Sequence, residues 1–351
     1  MARLGIYCPV LPPTRGGLAD ATRTLAAALQ QRGVTVTVLG ERGDEAALAP
    51  VPAEVGIAAR GPALAAAVER HALAALLVQY VPVAYARRGV APGLAHSLRR
   101  ARAAGARIGV FVHEPYVPFT RLAWWVTGWP MRWQFRTLVR AADVVFSPVP
   151  GFLELARRAG TGATRFITAP TGSTIPVAAV TREAARTALG LGAADVAIGV
   201  FSPGTSGALH DWIAHAAARL SPDPRVLWLF YGNGGDRPPA GFPAGARVRC
   251  LGWLAPEEAS RVLHALDLAA GAFVDGLTLR RTSVMAALAH GVPVVSSRGH
   301  LFDPALADAA ACAPTAEAFA EAVAELVGDR PRREALGRAG QAFYEAHASA
   351  A

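Results

Sequence analysis

The chain has 351 residues, 52% of them hydrophobic and 17% charged, with 35 Gly and a formal net charge of +9. That length exceeds what one hydrophobic core usually organises, so two domains are expected. No apolar stretch reaches the length of a spanning helix. The three cysteines, Cys8, Cys250 and Cys312, are too few and too scattered for a disulfide framework or a tetrahedral zinc site.

In chain order, a strand pattern at Arg3 to Val10 leads through a Pro/Gly loop, Leu11 to Gly17, into a helical run from Leu18 to Arg32 and a second strand at Val34 to Leu39. This is a βαβ opening. Apolar runs follow at Ala75 to Val81, Arg107 to His113 and Asp143 to Val149, separated by Ala/Leu/Arg helices such as Gly93 to Ala104. Such alternation is expected of a parallel sheet with helices on both faces. After the turn-rich stretch Ala169 to Pro176 the pattern restarts. A helix from about Thr181 precedes strands at Val196 to Phe201, Val226 to Tyr231, Val248 to Leu251, Leu268 to Phe273 and Val292 to Ser296. The predicted organisation is therefore α/β, with two Rossmann-like doubly wound domains facing each other across a cleft. The expected domains are residues 1–172, residues 173–330 and a C-terminal helix at 331–351 that packs back on the first domain.

Charge divides unevenly. Residues 1–170 hold 20 Arg against 9 acids, residues 171–351 hold 15 Arg against 17 acids, and there is no Lys. Between Arg87 and Arg140 lie ten Arg and one acid, Glu114, beside four of the seven Trp in Arg121 to Trp133. Two readings of this region stay open. Its aromatics pack a helix into the domain core, or Trp and Arg meet an anionic membrane surface peripherally. No nucleic-acid-binding signature accompanies the basic half, so nucleic acid is not an expected partner. The N-terminus lacks the apolar region of a secretory signal, and isolated thiols suit a reducing compartment, so a cytoplasmic protein with buried cysteines is expected.

Three segments carry candidate chemistry. The loop Pro12-Pro13-Thr14-Arg15-Gly16-Gly17 joins a strand to a helix N-terminus, where backbone N–H groups favour an anion, and its glycines admit a ligand or simply make a tight turn. Val112-His113-Glu114-Pro115-Tyr116 places a His and a carboxylate at a carboxyl strand edge, where open α/β sheets bind ligands. His113 there can hydrogen-bond a hydroxyl or an oxyanion. Ala272 to Ser297 reads as a strand, a glycine-containing loop with Arg280 and Arg281, a helix opening at Thr282-Ser283, Gly291 and another strand. Thr282 or Ser283 is expected to cap that helix, and the arginines to hold phosphate oxygens.

These segments, with Ala142-Asp143, Tyr231-Gly232-Asn233-Gly234 and Leu251-Gly252-Trp253-Leu254, resemble retaining glycosyltransferases of family 4 on the GT-B fold, over most of the chain. The resemblance implies transfer of a sugar from a nucleotide-sugar, held by the C-terminal domain, to an acceptor hydroxyl on a glycan, a lipid-linked molecule or a small molecule. It implies catalytic roles for His113, Asp275 and Arg281. The implied donor set is Gly16, Gly17, Gly232, Asn233, Gly276, Leu277, Thr278, Arg280, Thr282 and Ser283, with the Gly16-Gly17 turn on the wall of the first domain. Glu114 and Tyr116 fall on the acceptor side, and no metal or other cofactor is expected.

The sequence departs from the family pattern in two places. Aligning on Gly291 and Pro293 puts the two usual glutamates at Thr278 and Ala286, so the chain resembles a branch with an Arg-Arg-Ser/Thr donor loop. No Lys or Arg follows the Phe201 to Gly207 loop before Arg219. These departures keep open the alternative of a catalytically degenerate binding or partner subunit on the same fold.

Overall fold

The computed structural model describes residues 3–14, 16–116, 122–205 and 207–349, and of residues 122–127 the backbone alone. Arg15, Val117 to Arg121, Ser206 and the last two residues, on which parts of the loop and helix expectations fall, lie outside the described residues, as do the side chains of Trp124 and Trp125. The chain divides into two compact units between Pro170 and Thr171.

The first unit alternates strands and helices: β1 (Arg3–Tyr7), α1 (Gly17–Gln31), β2 (Thr35–Leu39), β3 (Ala53–Glu54), α2 (Ala63–Arg70), β4 (Ala75–Tyr80), α3 (Pro82–Tyr85) and α4 (Leu94–Ala103). It continues with β5 (Arg107–Val112), α5 (Leu122–Arg140), β6 (Val144–Ser147), α6 (Pro150–Ala159) and β7 (Arg165–Thr168). The strands form one parallel sheet in the order β3-β2-β1-β4-β5-β6-β7. Chain direction through the sheet reverses at β1, where Ile6 pairs with Val38 on one side and Leu77 on the other. Ile6, Val38, Val78, Ile108, Val110 and Val145 are buried, as expected of strands covered on both faces.

The second unit repeats the plan with α7 (Arg182–Ala188), β8 (Val196–Phe201), α8 (His210–Leu220), β9 (Val226–Tyr231), β10 (Arg247–Gly252), α9 (Pro256–Ala265) and β11 (Leu268–Gly271). It ends with α10 (Thr282–Ala289), β12 (Val294–Ser297), β13 (Ala311–Ala313), α11 (Ala316–Gly328) and α12 (Arg330–His347). Its parallel sheet runs β10-β9-β8-β11-β12-β13 and reverses at β8. Two hydrophobic clusters cover its faces, one around Leu229, Met285 and Leu288, the other around Trp228, Phe230 and Phe319. Helix α12 packs against α10 and α11 within this unit. The side chain of Arg333 is buried there and donates to the Leu326 and Val327 carbonyls at 2.6 and 2.8 Å.

Two expectations change. Cys8 is buried, but Cys250 and Cys312 are only half-buried, because they sit on the sheet-edge strands β10 and β13. On α5, Met131, Gln134, Phe135 and Leu138 fill the core at helical spacing, whereas Trp129 and Trp133 are 64% and 66% exposed. These two tryptophans are therefore not core residues. They share an exposed stripe with Arg136 and Arg140, because residues four apart on a helix lie on one face.

Candidate functional site

In each unit the strand reversal leaves a gap at the carboxyl ends of the central strands, the usual ligand position in such sheets. In the second unit the loops leaving β8, β9, β11 and β12 meet there. The β8 loop is tied to β9 by Ser202 N–H donating to Tyr231 O at 2.7 Å and Gly204 N–H to Asn233 O at 2.8 Å. A Cβ on Gly232 would lie 2.6 Å from Ser202 Oγ, and Gly232 has a φ of +81°, so glycine is required at this crossing. Asn233 is exposed at its tip.

The β11 loop carries the densest chemistry. Asp275 is buried and accepts hydrogen bonds from the guanidinium groups of both Arg280 and Arg281. Burial alone would raise its pKa, but Arg281 and Arg280 outweigh that and hold the carboxyl below its usual range, so it is ionised at neutral pH. Arg281 also lies with its guanidinium carbon 4.1 Å from the centre of the Phe273 ring. Gly276, with φ +86°, crosses Gly299 of the β12 loop so closely that an added Cβ would lie 2.3 Å from Gly299 N. Leu277 N–H donates to Ser297 O and Leu301 N–H to Asp275 O, at 3.0 and 2.9 Å, which fixes the loop against β12.

Helix α10 starts at Thr282 with Arg281 as its N-cap, and no side chain caps it. The expectation that Thr282 or Ser283 caps the helix is corrected: both lie inside the first turn, where their own side chains cannot take the N-cap role. That turn holds no acidic residue. An uncapped helix N-terminus with no acid in its first turn, beside two arginine side chains, is suited to an anion. Thr278 is fully buried and its Oγ1 has no hydrogen-bond partner among the described residues; the Tyr231 hydroxyl at the end of β9 is buried in the same condition. Ala286 is fully buried within the core, so both positions aligned with the family's glutamates face the protein interior.

In the first unit His113 leaves β5 half-buried, stacked on Phe111 at 4.6 Å. Its Nε2 donates to Gln79 Oε1 at 2.6 Å, which fixes a proton on that nitrogen. Gln79 is 2% exposed, and its carbonyl accepts from the Tyr85 hydroxyl at 2.7 Å. Sequence reasoning missed Gln79, although a lone glutamine inside the apolar run Ala75 to Val81 was the available signal. Glu114 N–H donates to Tyr80 O at 3.4 Å. Tyr116 lies edge-on to Phe135 at 5.9 Å with Arg132 4.2 Å over its ring. Gly16 is the N-cap of α1 and Gly17 its first residue, and a Cβ on Gly16 would meet no atom within 4 Å. Packing therefore does not demand a glycine there. Asp20 stands in the first turn of α1, where it competes with any bound anion. Among the described residues no three His, Cys, Asp or Glu side chains converge as a metal site.

Residues 196–329 match the family model described as glycosyl transferases group 1. No curated protein matches the sequence. Among solved structures, Anabaena HepE in complex with UDP and glucose is similar at 16% identity and a TM-score of 0.71, covering 100% of this chain and 96% of that one. WaaG, a glycosyltransferase involved in lipopolysaccharide biosynthesis, is similar at 15% identity and a TM-score of 0.69, covering 97% and 95%. TarM is similar at 7% identity and a TM-score of 0.71, covering 100% and 96%. At such identities the likeness establishes architecture: the fold is GT-B, and the stretch that matches the glycosyl transferases group 1 model lies in its second unit.

Proposed function

We propose that this chain is a retaining glycosyltransferase of family 4, of a branch with an Arg-Arg-Ser/Thr donor loop, that moves a sugar from a nucleotide-sugar to an acceptor hydroxyl. The observation that carries this reading is the Asp275, Arg280 and Arg281 cluster at the uncapped N-terminus of α10, within the matched domain. Arg280, Arg281 and the backbone N–H groups of Thr282 and Ser283 would hold the donor diphosphate. Charge grows on that diphosphate as the glycosidic bond breaks, so preorganised donors stabilise the transition state more than the ground state. Asp275 keeps both guanidinium groups in place. Because arginines and a helix terminus meet the charge, the mechanism requires no metal. UDP-sugars are the first donors to test, since HepE holds UDP-glucose in a solved complex.

On the acceptor side His113 would contact the transferred sugar or the attacking hydroxyl, held by Gln79, with Glu114 and Tyr116 beside it. The exposed Trp129, Trp133, Arg136 and Arg140 stripe of α5 supports peripheral contact with an anionic membrane, which would suit a lipid-linked acceptor. No helix among the described residues is long and apolar enough to cross a membrane. Co-sedimentation with anionic and neutral vesicles tests that contact: the reading requires Trp129→Ala/Trp133→Ala to stay in the supernatant where the parent pellets.

The test of the activity is hydrolysis and transfer from a panel of UDP-, GDP-, ADP- and dTDP-sugars, with the product anomer assigned by NMR. Turnover of one donor with retained configuration is expected. Nucleotide binding without any turnover across acceptors would instead support the degenerate binding subunit, the reading that buried Thr278 and Ala286 favour.

A further inference from the structure

At the amino ends of the second sheet, away from the α10 loop, a cavity of about 630 Å³ opens beside the starts of β8, β11 and β12. Six arginines line it, Arg182 and Arg186 from α7, Arg225 before β9, and Arg330, Arg333 and Arg338 from one face of α12, against three carboxylates, Asp195, Asp267 and Glu334. The partners that lie outside the lining, Arg247 on Asp195 and Asp223 on Arg225, cancel each other. Three positive charges therefore remain in excess.

Part of this charge is structural. Arg186 donates to Asp267 at 2.8 Å and to the Ala265, Gly192 and Asp195 carbonyls, and Arg333 caps the end of α11. Both side chains are nearly buried, and they form the frame. The C-terminal ends of α9, α10 and α11 also border the cavity. Each contributes roughly half a negative charge, so together they offset only about half of the excess. Arg182 donates to Asp267 at 2.7 Å, yet its side chain remains 49% exposed. Arg330 is 80% exposed beside Glu334, and Arg338 is exposed on the next turn. Burial depresses the Arg182 pKa, and Arg186, Arg330 and Arg333 add to that effect against Asp267. Like charges are thus held close together, and an anion placed among them would relieve the repulsion.

We propose that this cavity is a second anion site, separate from the donor loop, that takes a small molecule bearing a phosphate or diphosphate group on Arg182, Arg330 and Arg338. A phosphate ester carries about −1.5 to −2 charge at neutral pH, so one phosphate group balances the excess that the helix ends leave. The volume lies within the range of small-molecule sites, roughly 300 to 1,000 Å³. The site does not depend on the glycosyltransferase reading, because Arg280 and Arg281 are not part of it.

Calorimetric titration with inorganic pyrophosphate tests the proposal on a parent that is the full chain carrying Arg280→Ala, which weakens the donor loop's own claim on the probe, with Arg338→Glu and Arg182→Ala added as variants. Arg338 is exposed on α12, so its variant is expected to fold, and a melting curve without ligand checks this. The parent should bind and melt at higher temperature with pyrophosphate, and each variant should bind at least tenfold more weakly. Vesicles of phosphatidylcholine with and without phosphatidic acid separate the sources. Arg338-dependent sedimentation on phosphatidic acid without binding of pyrophosphate identifies a lipid headgroup, and binding of pyrophosphate identifies a soluble ligand. Parent-like affinity in both variants, or no binding of either probe by the parent, overturns the proposal.

Discussion

Two strand-loop-helix junctions, β1 to α1 in the first unit and β11 to α10 in the second, differ in their electrostatics. In the first, Gly16 caps α1 in open space and Asp20 occupies the first turn, so the helix N-terminus already faces a negative charge. In the second, α10 has neither a capping side chain nor an acid in its first turn, and Arg280 and Arg281 stand beside it on a buried carboxylate. Under the proposed function the α10 junction would take a diphosphate, whereas Asp20 disfavours an anion at the α1 junction.

The glycines at the two junctions give the widest contrast in stability. Gly276→Val forces a Cβ onto Gly299 N at a positive φ, and we expect a loss on the order of 3 to 5 kcal/mol. Gly16→Ala should cost under about 1 kcal/mol, the scale of a lost N-cap preference. Chemical denaturation of both variants measures the difference, and equal losses would show that the α1 loop is as tightly built as the α10 loop. Asp275→Ala leaves Arg280 and the buried Arg281 without their carboxylate, and a loss of about 3 kcal/mol is expected in the same assay.

His113→Ala should lower kcat by about tenfold to a hundredfold while nucleotide affinity stays near that of the parent, a division the α10 variants must not show. Gln79→Leu, which removes the partner of the His113 Nε2, should lower kcat without changing nucleotide affinity. Loss of nucleotide binding in either variant would move His113 into the donor site.

Stability of the second unit should also depend on pH. Burial, with His264 adding to it, pushes the His290 imidazole down to about 4, although its contact with Ala286 O opposes the shift. The unfolded chain then binds the proton first. Stability from this group is complete above the ordinary histidine value of about 6.5 and is lost as pH falls toward 4, by about 2 kcal/mol once its partial solvent access is allowed for. Denaturation midpoints at pH 7 and 4.5 should differ less in His290→Gln than in the parent. An unchanged difference would assign the acid sensitivity elsewhere.

Much of the fold was legible because buried parallel strands write themselves as apolar runs. Val196 to Phe201 and Val226 to Tyr231 appear with the expected bounds. The short edge strands were not legible. Ala53–Glu54 and Ala311–Ala313 are too brief to show a period, and Arg165–Thr168 mixes polar and apolar residues because it is covered on one side only. At the candidate site, the arginines and glycines of the α10 loop stood out by residue type. Their common attachment to Asp275 did not, since a carboxylate five residues from an arginine has no fixed direction in a loop. Gln79 and the arginine-lined cavity depend on residues distant in sequence, which only the sheet order brings together.

The central claim is that the donor diphosphate binds at the α10 junction, and the affinity of a nucleoside diphosphate for Arg280→Ala and Arg281→Ala tests it most directly. Loss of one charge-assisted contact costs about 1.5 to 3 kcal/mol, so at least one variant should bind about tenfold to a hundredfold more weakly than the parent. Parent-like affinity in both variants, with folding confirmed by their melting curves, would contradict the assignment.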